Sequence, residues 1–271
     1  MDSTRFSRVA RPGEAALSLL VFCLIACFLL FVTIPVASLF LRITPEAFLS
    51  SLQQPAVVDA LRLSLVTASV STAVVVLLGT PLSYVNARVR YRGREIVDTL
   101  TDLPIVLPPA VAGIALLMAF GRRGVVGEFL DGLGITVAFT TLAVILAQIF
   151  VASPFYIRQA RASFEAVDQL YEDAARTLGA SRLAVLLRVS IPIARSGLVS
   201  GAILSFARAL GEFGATIMFA GNFQGRTQTM PLAIYTTMQG DLNDAISIAI
   251  VLVVISFAVI LAVKYTTRRT A

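Results

Sequence analysis

The stretch EDAARTLGASRLAVLLRVSIP, residues 172–192, is a charged island between two long apolar segments. Val167, Leu170, Tyr171, Ala174 and Leu178 recur at spacings of 3, 1, 3 and 4. That period predicts a helix with an apolar stripe, and it puts Asp168, Glu172 and Arg176 on the opposite, polar face. Gly179 ends this helix, since glycine just past a helix takes the left-handed conformation at little steric cost. Ser181 is placed to cap a second helix over 183–189, and Pro192 then opens the next apolar span, where its missing N–H is tolerated. A patterned helix set between apolar segments is a surface offered to a soluble partner.

Outward from the island the chain is apolar. It is 57% hydrophobic and 14% charged, with a mean hydropathy of +0.86, whereas an ordinary soluble domain is about 25% charged. Crossing about 30 Å of hydrocarbon takes about 20 apolar residues in a helix. Six stretches qualify: 17–41, 57–85, 103–120, 137–157, 196–220 and 245–263. Strand alternation is absent, so the expected fold is all-α, a polytopic membrane bundle of six transmembrane helices. Arg5, Arg8 and Arg11 precede the first stretch as in a signal peptide, but its apolar run exceeds the 7–15 residues of a cleavable h-region, so it is read as an uncleaved helix.

Positive charge sets the expected orientation. With a cytoplasmic N-terminus, the inside segments hold Arg5, Arg8, Arg11, Arg88, Arg90, Arg92, Arg94, Arg158, Arg161, Arg176, Arg182, Arg188, Arg195, Lys264, Arg268 and Arg269. The outside segments hold Arg42, Arg122, Arg123 and Arg226. The island therefore faces the cytoplasm, and both termini do too. Basic loops beside apolar spans suit topology and anionic membrane lipid, so no nucleic-acid partner is expected.

Several chemistries are excluded. The chain has no His, and its one lysine, Lys264, follows Val263, so neither a GxxxxGK[ST] phosphate loop nor His-assisted or HExxH chemistry is present. Cys23 and Cys27 lie on one face of the first helix and are read as buried packing residues; two thiols without His make no structural zinc site. Asp59 and Glu212, the candidate buried acids, share no catalytic spacing. No catalytic residue, cofactor or metal is expected on this chain.

Asp173-Ala174-Ala175, three residues, Gly179, nine residues, then Val189-Ser190-Ile191-Pro192 resembles the EAA signature of permease subunits of ATP-binding-cassette importers. Asp173 stands where Glu is usual, Val189 for Ile and Ile191 for Leu; charge or apolar character is kept. The resemblance implies the type I importer permease fold, with a tail and first helix over 1–45, a permease domain over 57–265 and a cytoplasmic coupling loop over 160–195. It also implies that Glu172, Asp173, Ala174, Ala175, Leu178, Gly179, Val189, Ile191 and Pro192 serve ATPase coupling, with ATP and Mg held by a partner chain. The implied assembly is two permease copies, two ATPase subunits and an extracytoplasmic binding protein, in the cytoplasmic membrane of a prokaryote.

Other segments bear on cargo. DLPIVLPPAVAG at 102–113 breaks regular helix at Pro108-Pro109 and permits close helix approach at Gly113. RALGEFGATIMFAGN at 208–222 reads as the outer half of the fifth span, and RTQTMPLAIY at 226–235 as a segment outside the membrane. Together these resemble the permeases of molybdate/tungstate importers, and less closely those for sulfate or thiosulfate. Arg208, Glu212, Gly214, Pro108 and Pro109 are the candidate translocation pathway. Arg208 and Glu212, one turn apart, either neutralise each other or place positive potential along a dianion path. Arg122, Arg123 and Arg226 are either solvated loop charges or groups that steer an oxyanion or meet its binding protein.

Overall fold

A computed structural model describes residues 12–268, with side chains over 17–261. Arg5, Arg8, Arg11 and Arg269 lie outside the described residues, as do the side chains of Lys264 and Arg268. Among the described residues there are helices and turns and no strand. They form two compact units divided after Pro45.

The first unit is α1 (Pro12–Arg42). It is apolar on all sides over 17–42, which suits a helix lying in hydrocarbon. Cys23 and Cys27 are exposed on it rather than buried, because a helix apolar all round has no single inward face to hide them.

The second unit holds α2 (Pro45–Leu52), α3 (Pro55–Arg88), α4 (Arg94–Val106), α5 (Pro109–Phe120), α6 (Gly127–Gly132), α7 (Thr141–Glu165), α8 (Gln169–Thr177), α9 (Arg182–Val185), a π-turn (Leu186–Ser190), α10 (Ile191–Leu210), α11 (Gly214–Ala220), α12 (Met230–Met238) and α13 (Leu242–Arg268). Its centre is α7, which packs against both α3 and α10, and these two also touch each other. Small and hydroxylated residues let these helices approach, as is usual where no hydrophobic force separates helix from lipid. Ser71 Oγ donates to the Ile145 carbonyl at 3.2 Å, Ser83 Oγ to that of Ile157 at 3.1 Å, and Ser205 Oγ to that of Ala152 at 3.2 Å.

Five helices among the described residues are long and apolar enough to cross a membrane, and a sixth span exists if α4 and α5 count as one. That pair is bent by 117°. The expected straight span over 103–120 is therefore two helices. Pro108 drives Leu107 to extended backbone (φ −68°, ψ 130°), and Pro109, lacking an N–H, can start a helix but not continue one. At 12 residues, α5 rises about 18 Å, short of a full crossing. The expected fifth span over 196–220 also breaks: α10 stops at Leu210, and α11 starts afresh at Gly214 and packs on α5.

Pro192 stands in the first turn of α10, as expected, although α9, the π-turn and α10 follow one another without a gap over 182–210. The π-turn just before it, where Ile191 N–H reaches the Leu186 carbonyl, widens the backbone where the proline ring would collide with the carbonyl four residues back. The segment at 226–235 runs into α12, whose Met230 and Leu232 are fully buried, with α3 and α13 packed on that helix. The Met230 N–H donates to Ser64 Oγ at 2.7 Å.

Candidate functional site

Asp168 does not sit on a polar face of α8. Its carboxylate caps the helix by accepting the Leu170 N–H at 3.0 Å. At the other end Gly179 adopts φ +87°, and two bonds close the terminus: Gly179 N–H to the Arg176 carbonyl at 2.9 Å and Ala180 N–H to that of Ala175 at 3.0 Å. This is the Schellman arrangement, and it needs a residue that tolerates positive φ. Ser181 caps α9 through the Ala184 N–H at 3.3 Å.

Between these caps the apolar side of the helix is open and one polar residue is buried. Leu170, Tyr171 and Leu178 are exposed, Leu178 at 89%, whereas Glu172 is 2% exposed. Glu172 Oε1 accepts from Arg88 Nε at 3.0 Å and from Ser190 Oγ at 2.8 Å; Oε2 accepts from Tyr84 Oη at 3.1 Å. Arg176 lies 3.6 Å away at the rim. A carboxylate with this donor set is satisfied in the interior, so the burial that would be prohibitive for a lone charge is tolerated. Periodicity could not reveal this, because Tyr84 and Arg88 lie 88 and 84 residues earlier in the chain.

Ala175, Leu178, Gly179 and Val189 line one open hollow of about 590 Å³ between the end of α8 and α9, together with Ser181 and Arg188. Asp173 and Ala174 are exposed on α8, and Pro192 is exposed beyond the π-turn. Ile191 is half-buried and packs with the cluster around Phe164 and Ala194. Leu170, Tyr171 and Leu178 form an exposed apolar ridge on a helix capped at both ends. Burying each fully would contribute about 1.5–3 kcal/mol.

Among the candidate pathway residues, Arg208 and Glu212 are paired at 2.6 Å. Glu212, 1% exposed, also takes the Ala215 N–H on Oε1 at 2.8 Å and so anchors the first turn of α11. Arg208 faces a small cavity of about 120 Å³ lined also by Pro104, Leu107, Pro109, Val151 and Phe155. Gly214 meets Pro109 across the two helix starts, while Pro108 forms the bend itself. The breaks in α4–α5 and α10–α11 thus converge beside one guanidinium. Asp59, read as a buried acid, is exposed on α3.

At the Thr141 end of α7, remote from α8, Arg122 and Arg226 share a cleft of about 340 Å³ with Thr136, Phe139 and Phe223; Arg123 is not part of it. Arg122 lies 3.9 Å from Asp131. Phe139 adopts φ +61°, unusual for a bulky residue, and stacks edge-on against Phe223 at 6.4 Å.

The pattern of the family described as binding-protein-dependent transport system inner membrane component matches residues 76–270. The molybdenum transport system permease protein ModB of Mycobacterium tuberculosis is 43% identical over 235 residues, covering 87% of this chain and 89% of that protein. The probable transport system permease protein NifC of Clostridium pasteurianum is 39% identical over 256 residues, covering 94% and 90%. Among solved structures, a bacterial ABC transporter involved in import of the acidic polysaccharide alginate superposes with a TM-score of 0.77 at 17% identity, covering 95% of this chain and 96% of that one. The MetNI methionine ABC transporter, in an inward-facing form, gives 0.62 at 18% identity, covering 79% and 96%.

Proposed function

The chain belongs to the binding-protein-dependent transport system inner membrane components, and on that premise we propose that it is the membrane-crossing subunit of an ATP-driven importer of molybdate, tungstate or both. The observation that carries the reading is the outward ridge of Leu170, Tyr171 and Leu178 on a helix whose single buried side chain is Glu172. A soluble ATPase subunit covers that ridge, and the hollow beside Gly179 and Val189 receives its rim. The cargo follows from relatives named for molybdenum transport, including one in Haloferax volcanii at 37% identity, which favour molybdate over sulfate.

In this reading α8 lies on the cytoplasmic side with both termini, as the distribution of arginine requires. Two copies enclose a path, two ATPase subunits sit beneath, and a binding protein delivers the oxyanion at the end that carries Arg122 and Arg226. A transporter of this fold has been solved with a ligand-bound periplasmic protein. ATP and Mg act on the partner chain. Closure of the ATPases draws the α8 helices together and opens the path outward; hydrolysis resets it. Arg208, held by Glu212, supplies positive potential beside the junction of the broken helices.

Deletion of the chain in its native cell tests this. Uptake of molybdenum or tungsten from nanomolar oxyanion is expected to fall and to resist a large sulfate excess. Loss of sulfur uptake in its place would overturn the cargo.

A further inference from the structure

Glu172 is the one buried side chain of α8, and every apolar residue of that helix is exposed or half-buried. What grips it is a single carboxylate that faces two other elements. Arg88 and Tyr84, one turn apart at the end of α3, hold it on one side; Ser190, the last residue of the π-turn, holds it on another. Arg88 Nη2 also donates to the Val167 carbonyl at 2.7 Å and so clamps the backbone that leads into α8. The Tyr84 ring is backed edge-on by fully buried Phe164, with centroids 5.4 Å apart.

We propose that the Arg88–Glu172 pair is the joint through which a displacement of α8 reaches α3 and α10, with Arg88 as its positioning residue. The inference rests on the reading of α8 as the ATPase-docking helix. Apolar contact is non-directional and lets helices slide, whereas a planar guanidinium that uses Nε and Nη2 on two different acceptors fixes an angle as well as a distance. Both sides of the joint meet a helix at an irregular point. Toward α3 it meets the last turn of a 34-residue helix that carries Pro81 just before Tyr84. Toward α10 it meets the π-turn, followed by Pro192, which has no N–H to give. A pull on Glu172 therefore acts on each helix beside a backbone interruption, where bending costs least.

The test uses the permease reconstituted in liposomes with its ATPase, reading oxyanion taken up per ATP hydrolysed. Arg88→Gln and Glu172→Gln are each expected to lower that ratio by about fivefold or more, the lower bound for a typical coupling between sites. The double variant should be no worse than either single one, because both break the same contact. Arg88→Lys should recover part of the ratio, and Ser190→Ala, which removes one bond and exposes no buried charge, should give a smaller drop. In Arg88→Gln the ATPase should remain bound, since the outer ridge is untouched. An unchanged ratio with bound ATPase overturns the joint alone. A parallel fall of uptake and hydrolysis at constant ratio also overturns it, leaving the pair as a contact that only holds the fold. A wild-type chain that retains no ATPase removes the docking reading, and the joint with it.

Discussion

Gly214 and Pro109 meet with no room for a side chain between them: a Cβ at Gly214 would stand 2.5 Å from the Cβ of Pro109. These residues start α11 and α5, the two short helices that follow the breaks. Two interrupted helices can seat against each other only where one contributes no side chain, and the same junction borders the cavity that Arg208 faces.

Gly214→Ala should therefore loosen this junction at a cost of about 1–3 kcal/mol, the usual range for overpacking. Thermal unfolding of the purified chain in detergent reads it as a lower Tm. Gly132→Ala is the control, since nothing lies within 4 Å of that position, and its Tm should match the wild type.

At Gly179 the demand is on backbone alone, because φ is +87° and no atom lies within 4 Å of a Cβ placed there. Gly179→Val should cost about 1–2 kcal/mol locally, leave membrane insertion intact and reduce recovery of the ATPase with the permease. Gly179→Asn should restore much of that recovery, since asparagine tolerates left-handed backbone. Equal behaviour of the two variants in a pull-down would refute the conformational argument.

Leu178 is 89% exposed, so Leu178→Asp should change the stability of the chain by no more than about 0.5 kcal/mol. It should weaken ATPase binding by about 2 kcal/mol or more if this side chain is an anchor of the docking ridge. Titration of the ATPase against detergent-solubilised permease gives the second number, and a Tm measurement gives the first.

Arg208→Gln would leave Glu212 buried with only the Ala215 N–H on one oxygen. Removing one partner of such a pair costs about 3–5 kcal/mol, so the single variant should be poorly stable. The double variant Arg208→Gln with Glu212→Gln should regain stability. If Arg208 serves a dianion path, uptake stays low in the restored protein; recovered uptake would reduce the pair to a structural role.

Much of the fold was legible along the chain, because hydropathy and turn chemistry are local. The apolar lengths marked the spans, Ser181 and Gly179 marked helix ends, and adjacent prolines marked a break near 108. The interruption at 211–213 was not legible. Gly211-Glu212-Phe213 reads as continuous apolar span on average, and the helix yields there because Glu212 turns to bond Ala215 and Arg208.

By itself the sequence determined a helical membrane chain, a capped helix between spans and a resemblance to importer permeases, since composition, period and motif spacing need no knowledge of distant contacts. Tertiary structure decided which way that helix turns. Its period marked an apolar side and a polar side but not which of them meets the bundle; Leu170 and Leu178 are exposed and Glu172 is inside. The reason is the arrival of Arg88, Tyr84 and Ser190 from elsewhere in the chain: an interior that supplies these donors can take in a carboxylate, and the apolar side of α8 is then left facing outward.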